Sequence, residues 1–355
     1  HGLLGFKGAE KPSNKDVHLL CHVFLHNPWS SSFEKNLRLR NFILTPHQSI
    51  EVLHILKTQS FSICLDFFIW SIQQRGFSQS SEACEIMKKS LEENLDDIQS
   101  LLKGMESSQR YIPLVVFMLL MEIYAEKGMV EEAMKTFNSI NKYKCRPDED
   151  AYDLVFKILV EKGKMDVAQN LFERMQRDPW CRPRKVTYCL LLYGLGKNGQ
   201  LGEARKVILE AMRRSKHEVV TREAYCHLVV GLCDSEQMCQ AEEVVIEMHE
   251  LGLEPDAHVY TSLVYGHANA GNIEESYRYY MGAIQDKLLT PSQEMFELLI
   301  SGFCKQKGNV KLAYKIFREM VNSGIRLDPT LCNTLTRSML EQREWQVLDE
   351  FWNGI

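Results

Sequence analysis

The chain repeats itself about every 35 residues, and a period of that size restricts the folds open to it. An aromatic residue recurs at Phe117, Tyr152, Tyr188, Tyr225, Tyr260 and Phe296, with steps of 35, 36, 37, 35 and 36 residues. A small residue follows in each unit, at Ala133, Ala168, Ala204, Ala241, Ser276 and Ala313. Between the two markers stand Gly128, Gly163, Gly199, Gly271 and Gly308, with Glu236 as the exception. Within a unit, apolar residues fall three and four apart, as in Tyr260, Leu263, Val264 and Ala268, which predicts a short helix with one buried face. The glycine then supplies a left-handed turn into a second helix, and Gly252 followed by Pro255 closes a unit. One helical hairpin cannot bury both of its faces. A stack can, so the sequence predicts an all-α chain, an α-solenoid of helix-turn-helix repeats of about 35 residues.

Composition agrees with this and removes other classes. The chain has 355 residues, with 45% apolar and 25% charged side chains, the mix of a folded protein. Its formal charge of -5 excludes a broadly basic nucleic-acid binder. Residues 1–60 carry +3 and the remainder -8, so positive charge is concentrated at the N-terminus. Eleven cysteines, with no C-x-x-C among them, lie mostly within apolar helical patterns (Cys189, Cys226, Cys233, Cys304) and predict reduced thiols in a reducing compartment. The apolar run from Tyr111 to Ile123 is interrupted by Glu122, so no membrane span is expected. The sequence opens at His1, and targeting information is expected in a leader outside it.

Particular strings sharpen the reading. They are Lys185-Val-Thr-Tyr188, the run LISGFCK from Leu299 to Lys305, the run AYKIFREM from Ala313 to Met320, and Glu254-Pro255-Asp256 at a unit's close. These resemble the pentatricopeptide repeat family, in its plain class without added catalytic tails. The resemblance implies a right-handed superhelix. It also implies a division into a basic N-terminal arm, partly extended (1–47), a degenerate helical lead-in and first repeat (48–113), six repeats (114–328), and a truncated seventh repeat acting as a cap (329–355). Leu65 to Trp70 looks like the lead-in that such proteins often carry.

Members of the family bind RNA, mostly in mitochondria and chloroplasts. In repeats that read single-stranded RNA, one base faces each unit. The residue after the opening aromatic and the residue closing the unit read the base edge. A residue two before the aromatic sandwiches the base, and a lysine near the end of the first helix meets phosphate. Carried over to this sequence, the reading pairs are Met118 with Asp148, Asp153 with Arg184, Cys189 with Thr221, Cys226 with Asp256, Thr261 with Ser292, and Glu297 with Asp328. Thr261 with Ser292 resembles a base-reading pair, and Asn333 opens the last unit. The sandwiching places hold Asp150, Glu223 and Glu294 among others, and the phosphate places hold Glu126, Glu161, Lys197, Asp234, Asn269 and Lys305. A single-strand groove needs a positive track. Losing a good reading pair costs about 1–3 kcal/mol per base in the DNA analogue. The groove is therefore expected not to read a long sequence.

Positive charge lies elsewhere, at Arg38 and Arg40 in the N-terminal region and between units at Arg182, Arg184, Lys185, Arg213, Arg214 and Lys216. Lys305 and Lys307 form a further pair. Together with Lys197 these are the candidate phosphate contacts, suited to folded RNA, which is recognised by shape more than by sequence. No motif combines a nucleophile, a base and a positioned partner, so no enzyme activity, cofactor or small-molecule substrate is expected. The acidic run Pro147 to Asp150 reads as a repeat junction rather than a metal site. Cys226, His227, Cys233 and Cys239 lack zinc spacing. Cys21, His22 and His26 read as core, and Tyr277, Tyr279 and Tyr280 as packing between units. The expected function is a non-catalytic adaptor of organellar gene expression that docks on folded RNA and protein. A mitochondrial ribosome component leads, with ribosomal RNA favoured over one messenger and ribosomal or other ribonucleoprotein proteins as neighbours. The alternatives are a sequence-specific single-strand factor for transcript processing, stability or translation, and a protein-binding scaffold without RNA. The expected location is the mitochondrial matrix, with the chloroplast stroma as alternative.

Overall fold

The hairpins that turn at Gly128, Gly163, Gly199, Glu236, Gly271 and Arg343 form because a single residue in the left-handed region stops a short helix and reverses the chain. A computed structural model describes residues 14–27, 29–30, 33, 37, 45–74, 81–108, 110–214, 218–306, 309–325 and 328–354. Among the described residues there are α-helices and one short 3-10 helix, Ile140–Tyr143, and no strand. The chain divides into two compact units, residues 1–158 and 159–355. In the first lie α1 (Asn14–His26), α2 (Pro46–Gln59), α3 (Phe61–Ile72), α4 (Ser81–Glu93), α5 (Leu95–Ser107), α6 (Leu114–Glu126), α7 (Val130–Ser139) and most of α8 (Glu149–Glu161). In the second lie α9 (Met165–Arg177), α10 (Lys185–Lys197), α11 (Leu201–Arg214), α12 (Glu218–Asp234), α13 (Met238–Glu250), α14 (Ala257–Asn269), α15 (Ile273–Gln285), α16 (Gln293–Lys305), α17 (Val310–Asn322), α18 (Pro329–Glu341) and α19 (Trp345–Gly354).

The turn chemistry repeats with the sequence period. Gly128, Gly163, Gly199 and Gly271 sit at φ between +66° and +82°. In each case the next residue's amide reaches back to the carbonyl five before it, as from Gln200 to Leu195 (2.9 Å) and Asn272 to His267 (2.8 Å). That bond satisfies a carbonyl the helix end would otherwise leave unpaired. Glu236, the one non-glycine among the turn markers, adopts φ 60° and keeps the same bond, Gln237 to Leu232 at 2.9 Å. The turn is thus imposed by the packed helices even where the residue disfavours it. Glu236→Gly is expected to raise the urea midpoint, by about 0.5–1 kcal/mol in stability. A lowered midpoint would mean that the Glu236 side chain stabilises the turn.

The other two markers form the core. Five of the opening aromatics are buried, Tyr260 being half-buried, and each small residue is at most 2% exposed. The opening aromatic meets an aromatic of the preceding second helix edge to face: Phe137 with Tyr152 (5.0 Å), Phe172 with Tyr188 (5.6 Å), and Tyr280 with Phe296 (6.0 Å). Such pairs add about 0.5–1.5 kcal/mol beyond area burial. At Ser276, where serine replaces alanine, the hydroxyl donates to the Val264 carbonyl at 2.7 Å, so the buried polar group is satisfied. Tyr277 packs edge to face on Phe303 at 5.7 Å, which places these tyrosines in the packing between helices.

In the first unit, helix α1 lies within the expected basic arm and carries an apolar face. Its Phe24, 3% exposed, meets Phe67 (5.2 Å) and Trp70 (5.6 Å) of α3. Cys21 is buried there, while His22 and His26 are exposed and stack on each other at 4.1 Å. No described helix is long and apolar enough to cross a membrane.

Candidate nucleic-acid interface

The residues that close each unit turn out to start the next one. Asp256 accepts a hydrogen bond from the Val259 amide (3.0 Å), Ser292 from Met295 (3.2 Å), Asp328 from Thr330 (3.1 Å) and Asp148 from Ala151 (2.9 Å). A side-chain oxygen before a helix satisfies one of the first-turn amides, a role for which Ser and Asp are well suited. The second reading place of these repeats is therefore engaged in capping. Ser292 is exposed and keeps its hydroxyl proton to donate.

The first reading places are largely closed. Asp153, Cys189 and Cys226 are buried at 8%, 7% and 3% exposure. Burial pushes the Cys189 and Cys226 thiols up to about 11, so they remain protonated. Thr261 is half-buried, and its hydroxyl donates to the Ala257 carbonyl at 2.7 Å. Glu297 accepts from the Gln293 amide group at 2.7 Å. Asn333 is exposed on α18.

Charge in the groove is paired within the protein. Lys185 forms an ion pair with Glu223, which occupies a sandwiching place. In the first unit, Lys88 pairs with Glu126 (2.7 Å) and Glu122 (3.3 Å). Lys197 lies 5.8 Å from the Tyr193 ring, whose hydroxyl donates to Asp234 at 2.7 Å. Burial first, then Asp234, push the Tyr193 hydroxyl up to about 12, so it stays a donor. A cavity of about 480 Å³ brings Lys197 together with Cys233, Asp234, Glu236, Thr261 and Asn269. It unites four of the positions that matter for reading, Lys197, Asp234, Thr261 and Asn269, but two carboxylates outweigh its single ammonium.

Of the cations between units, Arg182, Arg184 and Arg213 are exposed, while Lys185 pairs with Glu223. Of the lysines at phosphate places, Lys197 and Lys305 are both exposed. Arg38, Arg40, Lys216 and Lys307 lie outside the described residues, and so does the side chain of Arg214. Lys311 is paired with Glu344 at 3.3 Å. Among the described residues no group of three His, Cys, Asp or Glu side chains is placed to hold a metal ion.

Sequence reasoning gave no role to His267, which is 2% exposed on α14 and stacks on Tyr279 at 5.3 Å. Its Nε2 lies 3.3 Å from Glu242. Burial lowers its pKa below the ordinary 6.5, against the pull of Glu242 and Glu275. The folded state therefore holds the imidazole neutral. This contribution to stability is complete above about pH 6.5 and declines as pH falls below it, where the unfolded chain binds the proton first. His267→Phe should flatten the dependence of the urea midpoint between neutral and mildly acidic pH. An equal slope in the variant would remove His267 from the account.

These observations define a helical-hairpin repeat protein. The chain carries pentatricopeptide repeats. The PPR repeat profile matches residues 115–145, 150–179, 186–215, 258–285 and 294–325. The unit built on α12 and α13, which carries Glu236 in place of the turn glycine, falls between the matched segments yet forms the same hairpin. Several Arabidopsis thaliana pentatricopeptide repeat-containing proteins are similar. One is 28% identical over 143 residues, covering 40% of this chain and 18% of that protein. One named as chloroplastic is 25% identical over 202 residues, covering 53% and 27%. One named as mitochondrial is 30% identical over 132 residues, covering 37% and 25%. The aligned stretch thus spans about a quarter or less of these relatives' length. Among solved structures, the pentatricopeptide repeat protein PPR10 from maize matches with a TM-score of 0.58 at 19% identity, over 96% of this chain and 48% of that one. The likeness is one of fold.

Proposed function

We propose that the chain is a non-catalytic, plain-class pentatricopeptide repeat protein of organellar gene expression that docks on folded RNA and its proteins. The observation that carries this reading is the contrast between groove and edge. In the groove, Lys185 is paired with Glu223, Cys189 and Cys226 are buried, and the hydroxyls of Thr261 and Ser292 bond their own helices. At the edge, Arg182, Arg184 and Arg213 face solvent. Phosphate neutralisation supplies most non-specific affinity, so RNA contact belongs where cations are accessible. Ribosomal RNA in a mitochondrial ribosome is the favoured partner, with ribosomal proteins beside it. Relatives named as mitochondrial and as chloroplastic support an organellar location. The mitochondrial matrix is the compartment we propose, with the stroma as the alternative. The four-part division of the chain, from an N-terminal arm to a last repeat serving as a cap, belongs to the same reading.

Sedimentation tests it. The chain should travel with ribosomal particles after nuclease has removed messenger RNA, and migration as a small free protein would refute the proposal. The cavity holding Lys197, Thr261 and Asn269 favours a second reading, a short single-strand site. Selection from a random RNA pool separates the two, since an enriched motif lost on Thr261→Ala would favour the second.

A further inference from the structure

The hairpin of α18 and α19 leaves open the face that earlier second helices of unit 159–355 use for stacking. In three of those, the residue opening the second helix inserts against a glycine of the following first helix. A Cβ added at Gly194 or Gly266 would lie 2.7 Å from the sulfur of Met165 or Met238, and one at Gly302 would strike Ile273. Seven residues on, the second helix meets the opening aromatic of that first helix, as Phe172 meets Tyr188 and Tyr280 meets Phe296. Both columns are closed. Met165, Met238, Ile273 and Val310 in one, with Leu201 half-buried, and Phe172, Ile208, Val245, Tyr280 and Phe317 in the other, are each at most 5% exposed. Helix α19 carries Trp345 and Trp352 in the same two columns, at 57% and 64% exposure. Leu340 of α18, 45% exposed, holds the place that Gly196 has in α10, where the Leu228 carbonyl of α12 closes over it. The helix itself is seated, since Phe351 packs on Phe317 of α17 at 5.3 Å.

The open columns specify the shape of what covers them, and the flanking charge specifies its source. A repeat that closes an array keeps its outer face polar, whereas tryptophan is a residue well buried on average. Two tryptophans seven residues apart lie on one helix face and call for an apolar helix, the element that fills these columns elsewhere in the array. The first helices that do so carry a glycine six residues after the opening aromatic, as in Tyr188 with Gly194 and Phe296 with Gly302. Residues 341–352 hold four carboxylates and one arginine. Glu344 is paired with Lys311, while Glu341, Asp349 and Glu350 are exposed. Two copies of this face would set those carboxylates against each other, which disfavours a second copy of the chain and favours a partner helix flanked by lysine or arginine.

We infer that Leu340, Trp345 and Trp352 seat a basic amphipathic helix of a partner protein, one that carries an aromatic and, six residues later, a glycine. The last repeat then serves as a cap that the added helix completes. This rests on the part of the reading above that gives the chain protein neighbours, and not on its RNA contact. The test uses the full chain and a helix-stapled peptide with the sequence of α10, which has Tyr188, Gly194 and a lysine at each end. The chain should bind the peptide, with amide exchange slowed within 340–354. Trp352→Ala, or Trp345→Ala, should weaken binding about tenfold or more without lowering the melting temperature. The peptide with Lys185→Glu and Lys197→Glu should bind more weakly at low salt, the difference shrinking as salt rises. No binding, or binding that Trp352→Ala and Trp345→Ala leave intact, would overturn the inference, while co-sedimentation with ribosomal particles would still stand or fall separately. A dimer of the chain that Trp352→Ala dissociates would make the occupant a second copy and overturn it too. So would crosslinks, in the protein taken from its cells, that join residues 345–352 to another part of the same chain.

Discussion

Gly231→Ala should destabilise unit 159–355 by about 2 kcal/mol or more, although alanine is the better helix former by about 1 kcal/mol. A Cβ at Gly231 would lie 2.2 Å from the Tyr193 carbonyl oxygen and 3.0 Å from the Lys197 amide nitrogen. Both are backbone atoms of α10, so no side chain can turn away to make room. The same approach is seen from the other side, where a Cβ at Gly196 would meet the Leu228 carbonyl at 2.6 Å. Helices α10 and α12 are therefore in near backbone contact, and relief requires moving one whole helix. Gly282, in α15, is the control, because nothing lies within 4 Å of its added Cβ. Gly282→Ala should stabilise by up to about 1 kcal/mol. Urea unfolding of the two variants should shift in opposite directions. Equal shifts would contradict the close approach.

Arg110→Met should cost unit 1–158 about 3–5 kcal/mol, as expected when a buried ion pair loses one member. Arg110 pairs with Asp66, and the two side chains are only 11% and 14% exposed. The guanidinium also lies over the Trp29 ring at 3.9 Å. Burial raises the Asp66 pKa above its ordinary 3.8, and Arg110 opposes that rise. Without Arg110 the carboxyl rises further, so the fold binds its proton more tightly than the unfolded chain does. Stability of the variant should then fall as pH rises through the folded pKa of Asp66, leaving the full deficit at neutral pH. The double variant Arg110→Met with Asp66→Leu should recover much of the loss, because it removes the stranded charge as well. A single variant as stable as wild type at neutral pH would show that the pair is hydrated.

The repeat markers carried most of the fold in plain view, for a physical reason. Helical hairpins are local, and the aromatic, the small residue and the turn glycine each meet the same need in every unit. The capping role of Asp256, Ser292 and Asp328 went unread, because the sequence placed them as base readers although each precedes a first helix. The groove's internal pairing went unread as well. Lys185 with Glu223 belongs to a pattern of opposite charges about one repeat apart, seen also in Lys57 with Glu93, Lys88 with Glu126 and Arg205 with Glu243. Scanning for opposite charges at the repeat period would have found them, although such exposed pairs add at most about 1 kcal/mol each. The column of helix glycines at Gly194, Gly231, Gly266 and Gly302, six residues after the last four opening aromatics, was also periodic but indistinguishable from neutral variation without its neighbours.

The central claim is that the edge of this repeat array, and not its groove, meets RNA. Ultraviolet crosslinking in organelles, with both the RNA and the crosslinked peptides identified, tests it most directly. Structured ribosomal RNA joined to peptides spanning 174–186 and Arg213 is the expected result. A single messenger footprint joined to peptides containing Thr261 and Ser292 would contradict it.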